Sequence, residues 1–137
     1  MSNIQRFLKA QEHDYETALA EMRSGHKRRH WIWYIFPQIS GLGNSGMAQY
    51  YEIKDLAETE EYMADPVLSA RLIEISEALL GLESNDPEDI MGYPDNLKLK
   101  SSMTLFSMVS DNPVFQKVLD KFYGGEKCQF TVNALKK

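Results

Sequence analysis

The side chains best suited to chemistry lie in one run, from His30 to Gln38, which we call the aromatic run. It begins at the last residue of a basic cluster, residues 27–30. Four aromatic rings fall within six residues of that run: Trp31, Trp33, Tyr34 and Phe36. Aromatic faces stack on planar ligands, and neighbouring cations bind anionic groups. Because nucleotides are both planar and anionic, we expect Trp31 and Trp33 to contact a nucleotide-like ligand. The alternative is that all four rings fill the core of a small domain.

Polar neighbours of the aromatic run supply the other groups that such a site needs. Arg28 is expected to bind the anionic part of the ligand, and the amide of Gln38 to hydrogen-bond a polar edge. His30 is the first candidate for an acid–base group, because an imidazole titrates near neutral pH. The opposing interpretation is that the basic cluster is a solvated turn.

A second segment with ligand-binding potential runs from Asp95 to Thr104. If it is helical, Lys98, Ser101 and Ser102 share one face, and hydroxyl groups on a buried face need hydrogen-bond partners. A ligand is one such partner, and close helix packing is the alternative explanation for the serines. Asp95 is the second acid–base candidate, or a plain N-cap. We expect this segment to pack beside the aromatic run with the pocket between them, and both a reaction and simple binding stay open.

Other kinds of site find less support. The sequence holds no P-loop and no dinucleotide-binding motif, and the glycines of residues 41–46 lack the lysine and the strand of a phosphate cradle. His26 and His30 are four residues apart, but the cations between them disfavour a metal, so we expect no metal and no cofactor. Cys128 is the single cysteine; the sequence places no histidine beside it, and we predict a half-buried structural thiol.

Composition predicts one packed domain that spans residues 1–137. The chain is 43% hydrophobic and 26% charged, which is typical of a globular protein. A lone cysteine forms no internal disulfide, and the longest apolar run, Trp31–Pro37, is far shorter than the roughly 20 residues of a membrane-spanning helix. We therefore expect a cytoplasmic protein without membrane contact, whose oligomeric state stays open.

The charge distribution suggests a second, non-catalytic function. The net charge is -5, and residues 52–90 carry twelve acidic side chains against two basic ones, Lys54 and Arg71. General nucleic-acid binding depends on cations that neutralise phosphates, so we expect none from this acidic chain. The acidic stretch fits a protein-interaction domain whose 52–90 surface faces a basic partner, with the aromatic run as core.

Apolar periodicity and cap signals predict a mainly α-helical fold. They place helices at residues 11–22, 47–64 (one or two), 66–82 and 97–109, a short turn after Asp86-Pro87, a helix after Asp111-Asn112-Pro113 and a last one after Thr131. We expect a compact single-domain bundle of about five to seven short helices. Residues 31–39 favour a strand by composition, but helical neighbours would leave it unpaired. We predict a buried helical turn there, with a small two-stranded element as the alternative.

The same two segments carry a resemblance to a known family. The run Gly25–Gln38, the stretch Gly41–Ser45 and the segment Asp95–Phe106 resemble the signature of the family catalogued as domain of unknown function 1810. Shorter matches extend it over nearly the whole chain, at Tyr62, Asp65–Leu68, Arg71–Leu72, Phe115, Val118, Leu119 and Phe122.

This resemblance implies a mainly α-helical fold and no established activity. Some members carry a calpastatin label, but that inhibitor is extended and disordered, whereas this composition is that of a packed domain. The resemblance also suggests a kinship with small helical domains that act on ADP-ribose conjugates. ADP-ribose is therefore the more specific hypothesis for the ligand.

Overall fold

The computed structural model describes residues 3–136, and within them the chain forms nine α-helices. They are α1 (Gln5–Ser24), α2 (Ile32–Ile35), α3 (Gly46–Tyr51), α4 (Leu56–Ala64), α5 (Pro66–Leu80), α6 (Pro87–Met91), α7 (Asp95–Ser107), α8 (Val114–Tyr123) and α9 (Gln129–Leu135). The mainly α-helical prediction is confirmed, but five to seven helices is too low. The shortest helices, α2, α3 and α6, have four to six residues, which is too short to show an apolar period; α2 and α6 coincide with predicted helical turns, and α3 falls in the 47–64 stretch predicted as one or two helices.

Side-chain caps fix several of the helix starts that the sequence predicts. The carboxylate of Asp65 accepts hydrogen bonds from the backbone N–H groups of Val67 and Leu68 at 2.9 and 3.0 Å, and Pro66 opens α5. The amide oxygen of Asn112 accepts from the N–H of Val114 at 2.9 Å, at the start of α8. These caps satisfy N–H groups that have no partner inside the helix.

Helix α1 begins at Gln5, six residues before the predicted start at Gln11. Gln11 explains the difference, because this polar residue interrupts the apolar stripe between Phe7 and Tyr15 although it is itself buried. Its amide donates to the carbonyl of Tyr34 at 2.8 Å and to a buried tyrosine hydroxyl at 3.0 Å. A buried amide is tolerated in the core when its polar atoms are hydrogen-bonded. Hydrophobic periodicity does not identify such a polar residue as part of the core.

The core lies where α1, α5, α7 and α8 pack together. The ring of Phe106 in α7 lies 5.1 Å from the ring of Tyr62 and 6.0 Å from that of Phe115, measured between centroids. Helix α7 also contacts the shorter helices α2, α6 and α9. It is therefore the element that connects the core to the candidate site. Among residues 3–136, no helix combines the length and the apolar character needed to cross a bilayer.

The aromatic run forms the predicted helical turn, α2, and then pairs briefly as an extended chain. Ile39 and Ile53 form an isolated parallel bridge: the N–H of Ser40 donates to the carbonyl of Ile53, and the N–H of Ile53 to the carbonyl of Gln38, both at 2.8 Å. The stretch therefore contains the predicted helical turn, and of the alternative two-stranded element it shows a single β-bridge. Because α2 packs on α7, the aromatic run does lie beside the Asp95–Thr104 segment.

Candidate functional site

A buried carboxylate, Glu21 of α1, organises the basic cluster and the first tryptophan. Its oxygens accept from the backbone N–H groups of Arg28 (2.8 Å) and Arg29 (3.1 Å), the guanidinium of Arg29 (2.7 Å) and the indole N–H of Trp31 (2.9 Å). Burial by itself raises the pKa of Glu21, but these donors outweigh burial and lower that pKa to about 2. Trp31 is only 1% exposed, so its ring belongs to the core and is not free to stack on a ligand.

A cluster of charges joins the aromatic run to the start of α7. The ammonium of Lys27 lies 2.8 Å from one oxygen of Asp95, and that of Lys98 lies 3.2 Å from the other. The same two ammonium groups lie 5.1 Å from the ring of Trp31 and 5.5 Å from the ring of Trp33. The structure thus brings the predicted site residues Asp95, Lys98 and Trp33 together, and Lys27, which is not one of the predicted site residues, completes the group. The Asp95 side chain does not cap α7, because its oxygens are engaged by lysines.

Arg28 and His30 make no hydrogen bond, ion pair or ring contact with this cluster in residues 3–136. Both side chains are exposed, and neither has a hydrogen-bond or ion-pair partner within residues 3–136. Neither contacts Asp95. Their predicted roles in anion binding and acid–base chemistry therefore stay predictions, without a geometric link to the rest of the site.

One cavity lies beside the aromatic run, and a second cavity shares Leu42 with it. The cavity at Trp33 and Gln38 has a volume of about 10 Å³, which is the room for one water and not for a nucleotide. The second, about 570 Å³, has the size of a small-molecule site. We name it the α7–α9 groove; its lining is Leu42, Leu97, Lys100, Ser101, Glu126, Lys127, Cys128 and Gln129.

The open space is therefore displaced from the predicted pocket between residues 30–38 and 95–104. It lies across Leu42, between α7 and the residues that precede α9. Ser101 is the one predicted site residue that lines it. The contribution of residues 126–129 was missed, because nothing in the local sequence indicates that they pack against α7.

The hydroxyl groups of α7 show where this packing is fixed. The Thr104 hydroxyl donates to the carbonyl of Lys100 at 2.8 Å and accepts from the backbone N–H of Cys128 at 2.9 Å. The Ser101 hydroxyl lies 3.1 Å from the carbonyl of Leu97 and 3.4 Å from the sulfur of Cys128. Ser102 is fully buried, and its hydroxyl has no partner in the described part of the chain. Packing accounts for two of the hydroxyl groups and leaves the third unexplained.

Two ammonium groups and one carboxylate surround the α7–α9 groove. Lys100 pairs with the carboxylate of Glu126, whose side chain is 72% exposed. The ammonium of Lys127 donates to the amide oxygen of Gln116 and has no carboxylate partner within residues 3–136. Leu42 and Leu97 add apolar side chains to the same lining. This arrangement suits a small anion that also has an apolar part.

Comparisons with known proteins identify relatives but no activity. The family model described as "Protein of unknown function (DUF1810)" matches residues 1–135. A solved structure, the conserved hypothetical protein Rv1873 from Mycobacterium tuberculosis, is 41% identical, with a TM-score of 0.95, and the match covers 98% of this chain and 96% of that one. No curated protein matches the chain. The resemblance expected from the sequence is confirmed.

Proposed function

The chain belongs to the DUF1810 family of unknown function, and from that premise we propose that it binds a small anionic, nucleotide-like ligand in the α7–α9 groove. The observation that carries the proposal is the groove itself: about 570 Å³ of space whose lining combines two lysines with two leucines. Ligand sites in proteins are concave and largely apolar, with a few well-placed polar groups.

The lysines supply the anion-binding part of the proposed site. Lys127 is a cation without a carboxylate partner in the described residues. No ion pair therefore has to break before its ammonium group binds a phosphate. The pair between Lys100 and Glu126 is solvent-exposed, and such pairs contribute only about 0–1 kcal/mol. A phosphate or diphosphate can therefore replace Glu126 at small cost.

The apolar part of the ligand is proposed to rest on the leucines. Leu97 is 48% exposed at the groove although it belongs to the central helix α7. Covering an exposed leucine with a base or another flat group removes apolar surface from water. The hydroxyl of Ser101 supplies a hydrogen bond beside it, and ADP-ribose combines all of the required features.

The proposal concerns binding and not a reaction. His30 and Asp95, the acid–base candidates, are not part of the groove lining, and the oxygens of Asp95 are engaged by Lys27 and Lys98. A lone cysteine without a disulfide fits a reducing compartment, so we place this function in the cytoplasm.

Thermal unfolding in the presence of AMP, NAD, ADP-ribose and uncharged adenosine tests the proposed function. A ligand at about 100 times its Kd stabilises the native state by about 2.7 kcal/mol, so the anionic ligands should raise the Tm and adenosine should not. Lys127→Gln should remove most of the shift, whereas Lys9→Gln, an exposed lysine on α1, should retain it. A flat response to every anionic ligand would refute the proposal.

A second candidate function is supported by another groove, on the acidic part of the surface. This α4–α9 groove has a volume of about 640 Å³ and is lined by Ile39, Ser40, Lys54, Asp55, Leu56, Ala57, Glu60, Phe130, Ala134 and Leu135. Leu56 and Phe130 are exposed there beside the carboxylates of Asp55 and Glu60. We propose as the alternative that it receives a basic, amphipathic segment of a protein partner. In that case a lysine-rich helical peptide binds, Glu60→Lys abolishes its binding, and the nucleotide panel gives no shift.

A further inference from the structure

A carboxylate that belongs to the α7–α9 groove, that of Glu126, already occupies one of its two lysines. Glu126 follows two glycines with positive φ angles, Gly124 (63°) and Gly125 (82°), in the turn that ends α8. The backbone N–H of Glu126 donates to the carbonyl of Tyr123 at 3.1 Å, which holds the turn in place. The Glu126 side chain is 72% exposed and pairs with Lys100. Its carboxylate can therefore leave Lys100 for solvent while the backbone keeps its position.

Lys100 is the fixed member of this pair. It belongs to the central helix α7, its side chain is only 19% exposed, and its ammonium lies 5.9 Å from the ring centroid of Tyr123. The hydroxyl of Tyr123 donates to the carbonyl of Asn96 at 2.6 Å, which holds the ring against α7. Departure of the Glu126 carboxylate therefore leaves a positioned cation in the groove lining.

The second cation of the groove, Lys127, has no such competitor. Its ammonium donates to the amide oxygen of Gln116, and the amide nitrogen of Gln116 donates to the carboxylate of Asp120 at 2.9 Å. A neutral amide thus lies between this ammonium and that carboxylate, and Lys127 forms no ion pair within residues 3–136. The two lysines therefore differ: Lys127 is open to an anion, and Lys100 is occupied by one.

We propose that Glu126 is the specificity-determining residue of the α7–α9 groove, an internal competitor that reserves Lys100 for the second phosphate of a diphosphate ligand. A ligand with one anionic group binds at Lys127 and leaves the pair between Glu126 and Lys100 intact. A diphosphate bound at Lys127 has a second anionic group, which displaces the carboxylate of Glu126 into solvent and binds Lys100. This inference rests on the proposed function, to which it adds the ligand class and the residue that selects it.

Tethering explains why Glu126 discriminates between ligands. Its carboxylate is part of the chain, so a separate anion from solution competes at Lys100 against an effective concentration that is in the mM range for short flexible links. The second phosphate of a ligand anchored at Lys127 is tethered as well and does not have this disadvantage. The exposed pair that it replaces is weak, so the competition is decided by the ligand.

Affinities for AMP and ADP test the inference, because the two nucleotides differ only by the second phosphate. Titration calorimetry at about 0.15 M salt gives the ratio of the AMP Kd to the ADP Kd, which measures the gain from that phosphate. Glu126→Gln should raise this ratio about threefold, in line with the strength of one exposed ion pair. Lys100→Gln should bring the ratio to about 1. Glu12→Gln makes the same change in net charge at an exposed position of α1 and should leave the wild-type ratio.

The double variant Lys100→Gln/Glu126→Gln separates competition at Lys100 from general repulsion by a negative charge. Without Lys100 the competitor has nothing to occupy, so Glu126→Gln should then have no effect on the ratio. An unchanged ratio in Glu126→Gln alone, or an equal effect of Glu126→Gln with and without Lys100, would overturn the inference. AMP binding that is lost in Lys127→Gln would in either case still support the proposed function. If neither nucleotide binds to the wild type or to Glu126→Gln, both claims are refuted.

Discussion

Glu21 is the residue on which the geometry of the basic cluster depends. One buried carboxylate receives four hydrogen bonds, two from the backbone of Arg28 and Arg29, one from a guanidinium and one from the indole of Trp31. Hydrogen bonds to a charged group are stronger than those between neutral groups. Glu21 therefore holds the backbone next to Lys27, whose ammonium group pairs with Asp95. Glu21 is not part of the α7–α9 groove lining.

Glu21→Gln should destabilise the protein by about 3 kcal/mol at neutral pH, the free energy that corresponds to a pKa lowered from 4.5 to about 2. Because the folded-state pKa is the lower one, this contribution is complete above pH 4.5 and is lost as the pH falls toward 2. The difference between wild type and variant in urea-unfolding free energy should therefore shrink over that interval. Glu12→Gln, an exposed carboxylate on the same helix, should change stability by less than about 0.5 kcal/mol. An equal effect of both variants would contradict this role of Glu21.

At the residue scale, the sequence predicts which segments matter better than it predicts what each side chain does. The convergence of Trp33, Asp95 and Lys98 was expected from two separate patterns, and the structure shows it. The indole of Trp31 was expected in the pocket as well, but its partner is Glu21, ten residues earlier. An acidic residue near arginines on an amphipathic helix is indistinguishable in sequence from a solvated one, so this contact was not predictable.

Helix α7 is the element that joins the core to both parts of the site. It packs on α8, reaches α2 through Lys98 and Trp33, and lies against the start of α9 through Ser101 and Thr104, which contact Cys128. Its small hydroxyl side chains allow neighbouring helices to approach closely. The position of residues 126–129, and so the width of the α7–α9 groove, depends on these few contacts.

Two neighbouring substitutions on α7 should behave oppositely. Thr104→Val keeps the shape of the side chain but removes the acceptor of the Cys128 N–H, so a loss of about 1–3 kcal/mol is expected. Ser102→Ala removes a buried hydroxyl that has no partner in residues 3–136, so stability should stay within about 0.5 kcal/mol or rise. Chemical denaturation of both variants provides the measurement. If Ser102→Ala lowered the free energy of unfolding as much as Thr104→Val, the Ser102 hydroxyl would have to make a stabilising contact, which would contradict its unpartnered state.

At the element scale, helices with a cap signal are predictable even when they are a single turn, such as α6 after Asp86-Pro87, whereas the break between α3 and α4 is not. Asp65 and Asn112 mark the starts of α5 and α8, because each side chain accepts a hydrogen bond from a backbone N–H two residues later. Helix α3 is too short for periodicity to separate it from α4, so the sequence predicts only one or two helical pieces over residues 47–64. The docking of α9 on α7 rests on contacts between residues 24 and 27 positions apart in sequence, which no local pattern records.

The molecule as a whole carries a negative net charge, whereas the α7–α9 groove has a local excess of positive charge. The chain has a net charge of -5, yet the charged groups lining the α7–α9 groove are two lysines and one glutamate. Two of the twelve acidic side chains of residues 52–90, those of Asp55 and Glu60, instead border the separate α4–α9 groove. From the composition we expect no general nucleic-acid surface, but composition does not reveal a small recess whose charged groups are mainly cationic. That recess is assembled from three distant parts of the chain: Leu42, the start of α7 and residues 126–129.

The most direct test of the central claim is an NMR titration of ¹⁵N-labelled protein with ADP-ribose, followed through backbone amide shifts. We expect saturable shifts that concentrate at Leu42, Leu97, Ser101, Lys127 and Cys128, and that disappear in Lys127→Gln but persist in Lys9→Gln. Shifts confined to the α4–α9 groove around Leu56 and Phe130, or no saturable shift with ADP-ribose or AMP, would contradict the assignment of the α7–α9 groove as an anion-binding site.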